Sequence, residues 1–299
     1  MAVAQITRRK FMQNTAMMAG ASATLARSQT NSTTGPLGFP IGCQVWPLRS
    51  MLHDFPKLVK MLADIGVTRL ELCSPLGYGE EFASLKNPKE VVRILLDHGM
   101  KSESSHFMLA ELRHSQQKSL DWAREIGITQ IITATLGEGN GGAHPTLDQV
   151  KKAADEYNKI AEISAKVGLQ QGLHNEAFEM ATVNGKRCYD LLFDLLDPNL
   201  VKFQFQMSTI AGGFVAADYF TRYPERFNSI HLQDIDMQAP IEMGSDGSPR
   251  GKQVPLGKGS IDWSKTFQTA AIGGVKNYFV EQSWELTQES VAFLKRFSV

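Results

Sequence analysis

From residue 40 onward the chain repeats one pattern eight times: a short strand-like run, then a segment with apolar residues at helical spacing. Strand-like runs lie at 40–45, 67–73, 100–106, 128–133, 168–173, 200–206, 227–233 and 275–281. Helix-like segments lie between them at 55–65, 88–98, 109–126, 147–167, 188–196 and 216–222, from 262, and at 288–297. Strict strand–helix alternation calls for parallel strands with helices packed outside them. Eight such pairs in about 260 residues predict a mixed α/β fold, the (β/α)8 TIM barrel. A doubly wound open sheet is the alternative. It would carry a glycine-rich phosphate turn after its first strand, and Trp46-Pro47-Leu48-Arg49 stands there instead. The glycine-rich stretch Gly137–Pro145 follows the fourth strand and lacks a Lys-Ser/Thr ending, so it reads as a lid over a barrel mouth.

The N-terminus reads as an address rather than as fold. Thr7-Arg8-Arg9-Lys10-Phe11-Met12 is a twin-arginine pattern, followed by a mildly apolar stretch from Thr15 to Ala26. Residues 1–26 are expected to be an export signal cleaved near Ala23 or Ala26, and 27–38 a linker, with one barrel domain at 39–299. The apolar stretch is too short to span a bilayer as an ordinary helix, so no membrane attachment is expected after cleavage. A periplasmic location follows from that route. Formal net charge is zero over the whole chain, which gives no basis for nucleic-acid binding. The three cysteines, Cys43, Cys73 and Cys188, form no short pair and argue against a disulfide framework.

Barrel active sites form at the C-terminal strand ends, where this chain turns polar. The fifth strand runs into His174, Asn175, Glu176 and Glu179, with His174 and Glu176 on one face by strand alternation. The first strand end offers Trp46 and Arg49, the second Glu71, the third His106, and the sixth Gln204 and Gln206. The seventh offers His231, Gln233 and Asp234, and the eighth Glu281 with Trp284 beyond it. Glu281 closes an apolar run, where an inward carboxylate is costly unless paired or metal-bound. His231 lies between Ile230 and Leu232; its bland reading is a core histidine satisfied by a carbonyl.

These residues carry a resemblance to the sugar phosphate isomerase/epimerase family, the xylose-isomerase-like barrels. Ile41–Arg49 resembles the family's first strand and arginine, and Leu173-His174-Asn175-Glu176-Ala177-Phe178-Glu179 the Tyr-His-Asn-His-x-x-Glu stretch of one branch. Ile230–Asp234 is similar to the strand-seven histidine motif, Leu256–Trp263 to a Gly-x-Gly-x-Ile-Asp segment, and Val280-Glu281-Gln282 to the terminal glutamate. The resemblance implies a divalent metal, manganese first with magnesium, cobalt or zinc as alternatives. It implies metal ligation by Glu179, Gln206, His231 and Glu281, catalysis by Glu281, Glu176 and His174, and substrate contacts from Trp46, Arg49, His106, Trp284 and Lys258. Gln206 stands where the family has an aspartate, and Glu176 where the branch has a second histidine.

The implied chemistry is proton abstraction next to a sugar carbonyl, leading to isomerisation, epimerisation or, with loss of a β-substituent, elimination. The implied partner is a small carbohydrate, free or glycosidic; a homo-oligomer is compatible with the sequence. The rival reading is a barrel that has lost catalysis and only binds a carbohydrate, with Gln206 in its favour and Trp46, Trp284 and Phe107 as stacking surfaces in either case.

Overall fold

The computed structural model describes residues 34–137 and 144–298. The twin-arginine pattern, the cleavage positions and the centre of the glycine-rich stretch, 138–143, lie outside the described residues. The chain divides into Met1–Asn31 and Ser32–Val299, and all described residues belong to the second unit. No helix among them is long and apolar enough to cross a membrane.

Eight parallel strands close into a barrel: β1 (Gly42–Gln44), β2 (Arg69–Cys73), β3 (Lys101–Phe107), β4 (Gln130–Thr133), β5 (Gln170–Leu173), β6 (Val201–Gln206), β7 (Phe227–Leu232) and β8 (Asn277–Val280). Each pairs with its neighbours in sequence, and β8 returns to β1 through Gly42↔Phe279 and Cys43↔Val280. Gly42 permits that closure, since a Cβ there would meet Phe279 Cδ1 and the Tyr278 carbonyl oxygen at 2.5 Å.

The helices α1 (Phe55–Asp64), α2 (Pro88–Asp97), α3 (Leu109–Ile126), α4 (Leu147–Lys166), α5 (Cys188–Leu195), α6 (Ala216–Arg222), α7 (Trp263–Gly273) and α8 (Trp284–Arg296) follow the strands in turn. Their starts are set by local chemistry. Asp54, Asn87, Thr146 and Asp262 each accept a backbone N–H from the first helical turn. In α1 the buried Phe55, Leu58, Val59 and Leu62 form the stripe that packs inward.

Three segments differ from the sequence expectation. The last helix starts at Trp284, not 288, because the Ser283 hydroxyl caps it by accepting from Leu286 N. At the end of the expected linker, Gly35–Phe39 folds against β8, where the Tyr278 hydroxyl donates to the Pro36 and Phe39 carbonyls. The long polar loop after β7 also carries structure. Asp234–Asp236 pairs with Lys252–Val254, and Glu242–Met243 with Pro249–Arg250, around a turn in which Asp246 Oδ1 accepts from Ser248 N and Oγ.

That loop is fixed by Asp234. Its carboxylate accepts N–H groups from Ile235, Gly257, Gly259 and Ile261 and the Trp263 indole. The Gly-x-Gly-x-Ile-Asp segment is thus wrapped round one buried carboxylate. Gly259 is required there, because a Cβ would meet Asp234 Oδ1 at 2.2 Å.

Candidate active site

Strand register builds the barrel interior in polar layers. Glu71 is in register with Ser104, and Gln204 with Ser229; one pleat nearer the mouth, Cys73 is in register with His106 and Gln206 with His231. Period-two alternation puts both sets on the inner face, while Leu70 and Leu72 turn the other way. All these polar side chains are buried.

The lower layer centres on Glu71, which is fully buried. Its Oε1 accepts from Ser104 Oγ at 2.6 Å and Gln204 Nε2 at 2.8 Å. Its Oε2 is hydrogen-bonded to His231 Nε2 and lies 3.3 Å from His106 Nε2. Burial would raise this carboxyl, but the adjoining His231 and His106 rings hold it well below the usual carboxylate range. Gln204 ties the layer together: its Nε2 also donates to Ser229 Oγ, and its Oε1 pairs with His106 Nε2 at 2.8 Å.

The upper layer opens to a cavity of about 650 Å³ at the C-terminal strand ends. His106, His174 and His231 stand together, with ring nitrogens within 4.8 Å of one another. Beside them, Glu281 Oε2 accepts from Gln206 Nε2 at 2.6 Å and Gln233 Nε2 at 2.8 Å and lies 3.1 Å from His231 Nδ1. At that distance the carboxylate and the protonated ring form an ion pair. His231 Nδ1, His174 Nδ1 and Gln206 Oε1 are buried with no hydrogen-bond partner among the described residues. They come from the ends of β5, β6 and β7, and Glu281 from the end of β8 next to β7.

Electrostatics separate these groups. Burial would lower the His231 pKa, but Glu281 and Glu71 on either side push it up to about 10. Burial and the neighbouring His231 and His106 keep His174 well below the usual imidazole range. Burial would raise Glu281, yet His231 and the Gln206 hydrogen bond hold it low. Glu176 is exposed, but only into the recess of the cavity; desolvation there, with the Glu281 charge, pushes it up to about 7.

The expected residues divide between this site and its surroundings. Trp46, Arg49, His106, Glu176, Gln206 and Glu281 line the cavity, and His174 and His231 stand beneath it. Trp46 is 40 % exposed, but its ring already stacks on Phe82 and lies under the Arg49 guanidinium. Glu179 does not join the donors: it is fully buried and accepts the N–H groups of Leu136 and Glu176, fixing the turn that carries Glu176. Trp284 is the half-buried first residue of α8, packed on the apolar core and not among the cavity-lining residues. Lys258 is an exposed residue of the Asp234-bound loop, also away from the cavity lining. Phe107 is wholly buried against Trp122 of α3 and presents no stacking surface.

Sequence reasoning missed the hairpin at 242–250, which brings Asp246, Ser248, Pro249 and Arg250 into the cavity wall. Its signal was legible: Asp246-Gly247 is a strong turn dipeptide. The anchoring part played by Glu71 was also missed, although a carboxylate between Leu70 and Leu72 was its mark.

Solved structures with this fold include a sugar phosphate isomerase/epimerase from Parabacteroides distasonis ATCC 8503. It is 22 % identical over 85 % of this chain and 93 % of that chain, with a TM-score of 0.68. An L-ribulose 3-epimerase is 14 % identical over 85 % and 92 % of the two chains, TM-score 0.62. A xylose isomerase-like TIM barrel protein from Mycobacterium smegmatis, in complex with magnesium, is 12 % identical over 89 % and 97 %, TM-score 0.59. The architecture is therefore that of the xylose isomerase-like (β/α)8 barrels, a likeness of fold at these identities. No family model and no curated protein matches the chain.

Proposed function

We propose that this protein is a divalent-metal-dependent isomerase or epimerase acting on a sugar with a carbonyl group. One observation carries the reading: His174 Nδ1 and Gln206 Oε1, buried with no hydrogen-bond partner among the described residues, and His231 Nδ1, 3.1 Å from the Glu281 carboxylate, stand with that carboxylate at the ends of four consecutive strands. Leaving such atoms unpaired is costly in a barrel built only to fold. Two imidazoles, an amide oxygen and a carboxylate fit a divalent ion, and the nitrogen content suits a transition ion such as manganese, cobalt or zinc better than magnesium. The reading replaces Glu179 by His174 among the ligands.

An ion held there would polarise a sugar carbonyl as a Lewis acid. The chain's own groups would then move the proton. Glu281, held ionised, is placed to take a carbon-bound proton beside the carbonyl. Glu176, which retains a proton up to about pH 7, is placed to return one. The two come from β8 and β5, three strands apart round the ring, so they approach the cavity from separated sides. His106 and Gln233 supply hydrogen-bonding groups at the floor, suited to sugar hydroxyls.

The substrate we infer is not phosphorylated. Both guanidinium groups lining the cavity are engaged by carboxylates, Arg49 by Glu81 and Arg250 by Asp246. A substrate outside the cytoplasm, reached through the twin-arginine signal, fits the same inference. A ketose incubated with manganese-loaded protein in D2O tests the reading, with deuterium at the carbon beside the carbonyl followed by NMR. Exchange that is lost in Glu281→Gln is expected; exchange unchanged in that variant contradicts the assignment. The second reading, a binding barrel without catalysis, draws on the uncharged Gln206 and requires sugar binding with no exchange.

A further inference from the structure

The proposed metal site uses one ring nitrogen of His231. The other is held by a residue that the proton transfers leave unused. We propose that Glu71 is a positioning residue that makes His231 a metal ligand through Nδ1; the inference rests on the metal reading above.

Glu71 reaches from β2 to β7, spanning 160 residues of sequence, and binds His231 Nε2. A carboxylate only accepts, so Nε2 must carry the hydrogen. In the neutral imidazole that leaves the lone pair on Nδ1, the nitrogen that faces Glu281 at 3.1 Å. The other tautomer would set the Nε2 lone pair against the Glu71 carboxylate and lose that bond. Glu71 itself cannot turn away, because Ser104 and Gln204 hold its other oxygen.

The cost of this arrangement argues for a purpose. A fully buried carboxylate met by donors from β3, β6 and β7 is seldom more stabilising than an apolar filling of the same space. Carboxylates that hold the far nitrogen of a metal-bound histidine typically sustain roughly 10- to 100-fold in metal affinity.

The test titrates Co2+ alone into metal-free wild type, Glu71→Leu and Glu71→Gln, following the visible d–d bands, with circular dichroism as the check on folding. Expected are affinity weaker by roughly 10- to 100-fold and altered bands in Glu71→Leu. Partial recovery is expected in Glu71→Gln, whose amide oxygen still accepts. Wild-type affinity and bands in Glu71→Leu overturn the inference while leaving the metal reading intact. A wild type that takes up no Co2+ overturns both. If Glu71→Leu does not fold, imidazole 15N shifts of Zn2+-loaded wild type decide. His231 metallated at Nδ1 with a protonated Nε2 supports the proposal, and metallation at Nε2 overturns it.

Discussion

Gln206 donates its amide N–H to Glu281 Oε2 across 2.6 Å, joining the ends of β6 and β8 at the cavity floor. Its carbonyl oxygen has no hydrogen-bond partner among the described residues. Metal binding through that oxygen would leave the site with one carboxylate rather than two. Affinity for a hard divalent ion rises with the number of charged oxygen ligands.

Gln206→Glu should therefore tighten Mn2+ binding by roughly tenfold or more, read by isothermal titration calorimetry. The same change should destabilise the metal-free protein by about 1–3 kcal/mol, since two carboxylates then meet where an amide donor stood. Unchanged Mn2+ affinity would place the metal elsewhere.

Glu179 gives a pH dependence of stability. Burial pushes its carboxyl up from 4.5 to about 7, so between those values the folded state holds a proton that the unfolded state has lost. This contribution is fully present below pH 4.5 and is lost as pH rises through about 7. Glu176 shifts the same way but opens to the cavity, and solvent screening leaves the larger part to Glu179. Urea denaturation of metal-free wild type and Glu179→Gln between pH 5 and pH 7.5 isolates the effect. The difference should change by about 3 kcal/mol or less across that window, with wild type losing ground as pH rises. Parallel curves would show that Glu179 does not titrate there.

Asp234 should be a stability residue rather than a catalytic one. Asp234→Ala strands five N–H donors in the loop after β7 and should cost about 2–5 kcal/mol by chemical denaturation. Gly259→Ala should be destabilising in the same direction through its clash with that carboxylate. Full stability in both variants would contradict the anchoring role.

The fold was legible because it rests on repetition: eight alternations of period-two and helical patterning leave few arrangements, and the strand ends fell within a few residues of expectation. The site was legible only in part. His231 and Glu281 stand out because a titratable group after an apolar run is expensive. The placement of Glu179 and Trp284 was not legible, because a strand end and a helix start look alike in sequence. One hydroxyl, Ser283, decides that Trp284 begins a helix, and two backbone N–H groups decide that Glu179 turns away from the cavity. Those partners, like Glu71 for His231, are distant or backbone groups with no fixed spacing to read.

Export remains a proposal read from residues 1–26. Arg8→Lys with Arg9→Lys should leave the protein in the cytoplasm when cells are fractionated, whereas wild type should reach the periplasm. Equal distribution of the two would remove the signal assignment and, with it, one of the arguments for an unphosphorylated substrate.

We propose that His174, Gln206, His231 and Glu281 hold a divalent ion. Metal content measured by mass spectrometry on purified wild type and His231→Ala, each incubated with manganese and then desalted, tests it most directly. Close to one divalent ion per chain is expected in wild type, with its loss in His231→Ala. Wild-type protein that retains no metal, or a His231→Ala variant that retains as much, would contradict it.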